Sequence, residues 1–294
     1  MTGFDRVELA GGPYRRGRQH GEACAAAIEA TVATYRERFE HEGLDEDALA
    51  DRARDYLELI KSSAWRYAGE LRGIATGADV DLLDIVLLNA RWEMFYPAIG
   101  DSSHSGVTEG CTSFGLLPSA TADSHSHLGQ NWDWLAPIRD RLVLLDVTQP
   151  EAVNFVGITE PGIAGPKMGV NEHGIGIVIN GLVSAQDGTE AAGLPYHVRF
   201  RHVLDTGSQP STFGHLRRRT KLRCKRHHWS AGQRSYPIGG DLSPYLPTIP
   251  GTRRRTRTCK PLRSGNGGRT SGADGDEYLL SAGLIAPKVA TIRR

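Results

Sequence analysis

GVTEGCTSFG, residues 106–115, sets a cysteine between a glycine and two hydroxyl-bearing residues. Cysteine is among the most buried residue types and usually packs as a small inert hydrophobe. Cys111 is therefore either a core thiol or a nucleophile, and the choice decides the fold. A thiol attacks only as thiolate, and an ordinary cysteine, with a pKa of about 8.5, needs a base or a positive neighbour. No papain-like pattern brings a histidine to it. His104, His125 and His127 are close in sequence but have the setting of surface or turn residues. Another route is open: as first residue of a processed chain, a cysteine uses its own α-amine, with a pKa of about 7.7–8.0, as base. Gly110 suits cleavage there, because a residue without Cβ allows the open geometry in which a thiol attacks the preceding carbonyl.

The pattern changes on either side of Cys111. Before it the chain is helical in period. Cys24, Ile28, Val32, Tyr35 and Phe39 mark one face of a helix from Tyr14 to about His41, and Leu49, Ala53, Tyr56, Leu57 and Ile60 mark a second. Asp81 is placed as an N-cap, with Asp84 at the capping-box position, opening DLLDIVLLNARWEMFY, which Pro97 closes. After Cys111, CTSFGLL, HLGQNWDW, RLVLLDV, AVNFVGIT and GIGIVIN are short strand-like runs between turn residues, with NEHG (171–174) as one turn. Such short loops predict an antiparallel meander. A helix is expected over roughly 198–205.

The 294 residues carry a net charge of only +1, but its distribution is uneven. Residues 207–294 hold 18 Lys+Arg and 4 Asp+Glu, a net of +14, whereas residues 1–206 are net −13. The basic part, with runs such as HLRRRTKLRCKRHH, shows neither structural period and has a disordered composition. Its Arg clusters suit phosphate-backbone binding, yet aromatic interleaving is poor apart from Trp229. Cys224, His227, His228 and Cys259 fit no standard zinc spacing. Four scattered cysteines do not form a disulfide framework, the N-terminal MTGFDRVELAGG has no signal-like apolar core, and no apolar run approaches the ~20 residues of a membrane span. The expectation is a cytoplasmic protein with no metal or cofactor.

YRRGRQHGEA, ELRGIATGADVDLLDIVLLNARWEM, EGCTSFG, GQNWDW and NEHGIGIVINGL follow one another in this order. Together they resemble the penicillin acyltransferase-like family (acyl-coenzyme A:6-aminopenicillanic acid acyltransferase and relatives), which are N-terminal-nucleophile hydrolases. The resemblance covers about residues 5–206, and several motifs in register are far more specific than one. It implies an α+β fold, the αββα sandwich, with residues 1–110 as a helix-rich N-terminal segment and 111–206 as the antiparallel nucleophile half. Residues 207–294 form an irregular basic tail that leaves the sandwich incomplete. It also implies self-cleavage (an autolytic peptidase step) between Gly110 and Cys111. Cys111 then acts as nucleophile on a small-molecule acyl amide or thioester, through an acyl-enzyme. Asp133 matches the aspartate that orients the new α-amine and holds substrate; otherwise it is a strand-end carboxylate. Asn180 matches a position whose amide helps stabilise a tetrahedral oxyanion; a strand-capping asparagine is the plainer alternative. Asn131 is a polar neighbour or a turn stabiliser. Trp132 and Trp134 wall an acyl pocket or simply pack the core.

The family pattern then breaks. A Ser-Ser-Ala-Asn stretch and a later Asn-His-Phe stretch should follow, and neither is present. KLRCKRHHWS (221–230) and TRTCKPLRS (256–264) can each be back-translated and read one base later. Suitable codons then spell SSAANVTIG and HAHANHFD, the two absent stretches in order. A one-base frameshift near codons 205–215 accounts for both, and for the Arg-, Pro- and Gly-rich text. Three function classes stand: a self-processing amidohydrolase or acyltransferase, an inactive frameshifted or truncated member of that family, and a basic-tailed nucleic-acid-binding protein. Acyl donor, acceptor and oligomeric state are not readable.

Overall fold

In the structure, a computed structural model, residues 4–95, 111–180 and 193–207 are described in full, and Ser281–Ile285 by backbone alone. The chain is α+β. The order is β1 (Asp5–Ala10), α1 (Pro13–His41), α2 (Glu46–Ser63), α3 (Trp65–Ala78), α4 (Leu82–Asn89), β2 (Thr112–Leu116), β3 (His127–Asn131), α5 (Ala136–Arg139), β4 (Val143–Thr148), β5 (Phe155–Thr159), β6 (Met168–Asn171), β7 (Gly176–Asn180), α6 (Tyr196–Leu204) and β8 (Ser281–Ile285). Six strands form one sheet in the order β1-β4-β5-β6-β7-β8, while β2 and β3 pair separately. The β4–β7 meander is antiparallel, as the short loops require. β1, absent from the sequence expectation, adds to β4 in parallel, with Val7 opposite Leu145. β8 lies in the tail, whose sequence promised no regular structure, yet its uncharged run Ser281–Ile285 pairs antiparallel with β7.

Strand alternation puts Val7, Leu9, Val143, Leu145, Val147 and Phe155 on one face of the sheet, and all are buried. They join the core with the predicted stripe of α1, in which Cys24, Ile28, Tyr35 and Phe39 are buried and Val32 is partly so. Asp45 and Asp81 cap α2 and α4 by accepting the N–H groups of Ala48 and Leu83. Asp84 bonds Arg36 of α1 instead of closing a capping box, and α4 ends at Asn89, with Ala90 outside helical geometry before residues 91–95 resume. In the 171–174 turn, the Asn171 Oδ1 accepts from His173 and Ile175 N–H, and Gly174 takes φ +76°. The same side chain donates to the Leu204 and Thr206 carbonyls, fastening the turn to the end of α6.

α1 and α3 cross backbone to backbone. Gly17 and Gly21 of α1 face Gly73 and Gly77 of α3, and a Cβ at Gly17 would stand 2.1 Å from the Glu70 carbonyl oxygen. One turn along α1, His20 is sealed in neutral form, its Nε2 accepting the Gly162 N–H at 3.2 Å. Burial lowers its pKa to about 4 from an ordinary 6.5. A lowered folded-state pKa contributes stability above 6.5 that is lost as pH falls through 4, on the order of 3 kcal/mol. Burial lifts the Glu93 carboxyl to about 7, so its contribution has the opposite sign and fades as pH rises from 4.5 to 7. His20→Gln keeps an acceptor for Gly162 without a titrating ring. Its unfolding free energy should vary less between pH 6.5 and 4 than that of the parent chain; an identical slope would contradict the assignment.

Candidate active site

Cys111 immediately precedes β2 and is half-buried. The antiparallel register sets Thr112 opposite Asn131 and Ser113 opposite Gln130, which brings the start of β2 beside the segment leaving β3. The Cys111 thiol accordingly donates to the Asp133 carbonyl oxygen at 4.0 Å, a long sulfur contact. Cys24 offers the contrast. It is buried at a kink in α1 (φ −121°, ψ 17°), and burial first, then Asp5, pushes its thiol up to about 11. That thiol is a packing group. Cys111 is the more accessible of the two.

Side chains on β2 and β3 alternate, so Ser113 and Gln130 share the face that meets β7. The Gln130 amide acts there like a short piece of strand. Its Oε1 accepts the Ile179 N–H at 3.0 Å, and its Nε2 donates to the Ile179 carbonyl and, at 3.1 Å, to Asn180 Oδ1. Asn180 in turn donates its Nδ2 to Ser113 Oγ at 2.9 Å and is only 4% exposed. One amide hydrogen of Asn180 is thus committed to Ser113. Ser113 and Gln130 carry no sequence signal except their place two and one residues from Cys111 and Asn131.

Cys111, Asp133 and Asn180 are therefore gathered at one end of the β2–β3 pair, by a direct contact for Asp133 and through Ser113 and Gln130 for Asn180. Asn131 closes β3 and is exposed. Trp132 and Trp134 flank Asp133, partly buried against the core, with near-parallel rings 6.3 Å apart. Lys167 places its ammonium 3.3 Å from the Trp132 ring centroid, and Trp134 donates its indole N–H to Tyr35 Oη at 2.6 Å. Gly110 and the residues of the second-frame stretches lie outside the described residues. Among the described residues no cluster of His, Cys, Asp and Glu could hold a metal ion, and no helix is long and apolar enough to cross a membrane.

A half-buried cysteine just before a strand, donating to a carbonyl of the neighbouring strand's exit, with an amide-rich face around Ser113 two residues on, is the arrangement this α+β chain presents. Comparison with known proteins finds similarity to an acyltransferase family model and to a curated acyltransferase. Residues 120–245 match the family model described as acyl-coenzyme A:6-aminopenicillanic acid acyl-transferase, a span that begins after Cys111 and contains Gln130, Asp133 and Asn180. Over 209 residues the chain is 29% identical to the acyl-coenzyme A:6-aminopenicillanic-acid-acyltransferase 40 kDa form of Emericella nidulans. That stretch is 70% of this chain and 55% of the relative, so the chain spans about half the length of the protein it matches. The resemblance carried by the ordered motifs is borne out.

Proposed function

We propose that the chain is a self-processing, N-terminal cysteine amidohydrolase or acyltransferase on the αββα framework. The observation that carries this reading is the contact of the Cys111 thiol with the strand exit bearing Asp133, at a site lined by Asn180, in a chain similar to an acyltransferase. Cys111 Sγ attacks the Gly110 carbonyl; the C–S bond forms, the Gly110–Cys111 C–N bond breaks, and the nitrogen takes the thiol proton. Water then cleaves the thioester, leaving a Gly110 carboxylate and a proton and restoring the Cys111 thiol beside the α-amine already freed. In turnover that amine takes the thiol proton. The thiolate attacks an acyl amide or thioester, and the leaving group receives the proton as the acyl-enzyme forms. An amine or water accepts the acyl group in the second step. Asp133 orients the α-amine, Asn180 donates to the oxyanion, and Trp132 and Trp134 wall the acyl group. Replacing one such oxyanion donor typically costs about 10²–10³ in kcat.

The test is a denaturing gel of the full chain. Fragments of residues 1–110 and 111–294 are expected, and Cys111→Ala should leave one intact band. An intact parent chain, unchanged by that substitution, would defeat the reading. The charge of residues 207–294 favours a second reading, that the chain is an inactive frameshifted product whose oxyanion strand is written one base later. The nucleotide sequence decides it: a second frame with no continuous family-like continuation removes that alternative.

A further inference from the structure

The two indoles that flank Asp133 are tied to a single buried carboxylate which the proposed chemistry does not use. Glu160 follows β5 and is fully buried. Its Oε2 accepts the Tyr35 hydroxyl at 2.6 Å, and Tyr35 Oη accepts the Trp134 indole N–H at 2.6 Å. Its Oε1 accepts from Lys167 Nζ and, at 2.9 Å, from Arg91. Lys167 rests on the Trp132 ring. Each oxygen of one carboxylate thus leads to one of the two indoles. Burying Glu160, Lys167 and Arg91 together costs several kcal/mol per ion, and apolar residues of equal volume would fill the space as well. Packing alone does not call for these charges. Geometry does: a carboxylate with two fixed directions sets both rings, and the backbone between them is the segment that meets Cys111.

We infer that Glu160 is a positioning residue, clamping Trp132 through Lys167 and Trp134 through Tyr35, and so holding Asp133 against Cys111. The role of Cys111 as nucleophile rests on the function proposed above; the clamp stands on contacts independent of it. Tyr35→Phe cuts one arm and removes a single hydroxyl from a ring packed against Phe39 and Phe95. Lys167→Met cuts the other and leaves Glu160 paired with Arg91, while Lys167→Arg restores a cation over Trp132. The readout is the rate of Cys111 alkylation by iodoacetamide in the full chain across neutral to alkaline pH. It is followed by mass spectrometry of the peptide bearing Cys111, with circular dichroism as the check on folding. Each cutting variant should change the neutral-pH rate by about tenfold or more and displace its pH midpoint, since small misplacements of reacting groups have large kinetic effects. Lys167→Arg should return the parent profile. Folded Tyr35→Phe and Lys167→Met chains with the parent rate and midpoint would overturn the clamp. If Lys167→Met unfolds, Tyr35→Phe alone decides. A parent chain that neither cleaves nor alkylates faster at Cys111 than an ordinary thiol defeats the nucleophile reading instead, and the variant-to-parent ratio still judges the clamp.

Discussion

Gly73→Ala should lower the unfolding free energy by about 3 kcal/mol, measured by denaturant titration of the full chain. The added Cβ would stand 2.2 Å from the Tyr14 carbonyl oxygen and 2.7 Å from the Arg18 nitrogen. Both are backbone atoms of α1, so no rotamer change relieves the clash and the helices must part. Alanine is favoured over glycine by up to about 1 kcal/mol in a helix, but that gain is smaller and opposite in sign. Parting the helices also pulls on Arg16 and Glu70, which bond across the same crossing at 2.6 Å. Gly12→Ala is the control. Its Cβ meets nothing within 4 Å, and its cost should stay below about 1 kcal/mol. Equal effects at the two positions, or a stabilised Gly73→Ala chain, would contradict backbone-limited packing.

That crossing shows what a one-dimensional pattern conveys and what it hides. The stripes of α1 and α2 were legible because a helix buried on one side repeats its apolar residues every three or four positions. α3 shows no such contrast. Its buried face includes Gly69, Gly73, Ala68 and Ala75, small residues whose value lies in how near a second backbone comes. β4, β5 and β7 were readable from short apolar runs between turns, whereas the four residues of β6, MGVN, carry too little apolar pattern to stand out. β1 was not, since DRVELA has two inward residues and its pairing with β4 spans more than a hundred positions. At the site, Cys111, Asp133 and Asn180 emerged from ordered motifs. Ser113 and Gln130 did not, because a glutamine acting as a strand partner for Ile179 acquires that role only when two sheets meet. Glu160 and Lys167 sit in TEPG and GPKM, which read as turn text, and turn residues are ordinarily solvated. Nothing local announces that these two are buried.

Glu70→Gln is expected to cost about 3–5 kcal/mol, because it breaks a buried ion cluster by removing one charge. Glu70 is 4% exposed and lies between two guanidiniums. Its Oε1 accepts from Arg16 at 2.6 Å and from Arg201 at 3.0 Å, and its Oε2 accepts a further Arg201 N–H. Burial lowers the Arg201 pKa, yet Asp205 and Glu70 outweigh that and raise it on balance, so its charge stays when its partner is altered. A glutamine there turns an N–H₂ group toward donors and leaves two buried cations sharing Asp205, Glu151 and the neutral Gln149. Asp205→Asn should cost less, because that carboxylate is partly exposed and bonds Arg201 at the rim. The exposed Arg54–Asp51 pair should contribute within about 0.5 kcal/mol when broken. The ordering Glu70, then Asp205, then Asp51 follows from dielectric surroundings rather than from distance, since all three acids lie within 3.0 Å of an arginine nitrogen. Denaturant midpoints for the three variants decide it: equal losses would mean that the buried triad gains little from its burial, and that α1, α3 and α6 are joined by apolar packing alone.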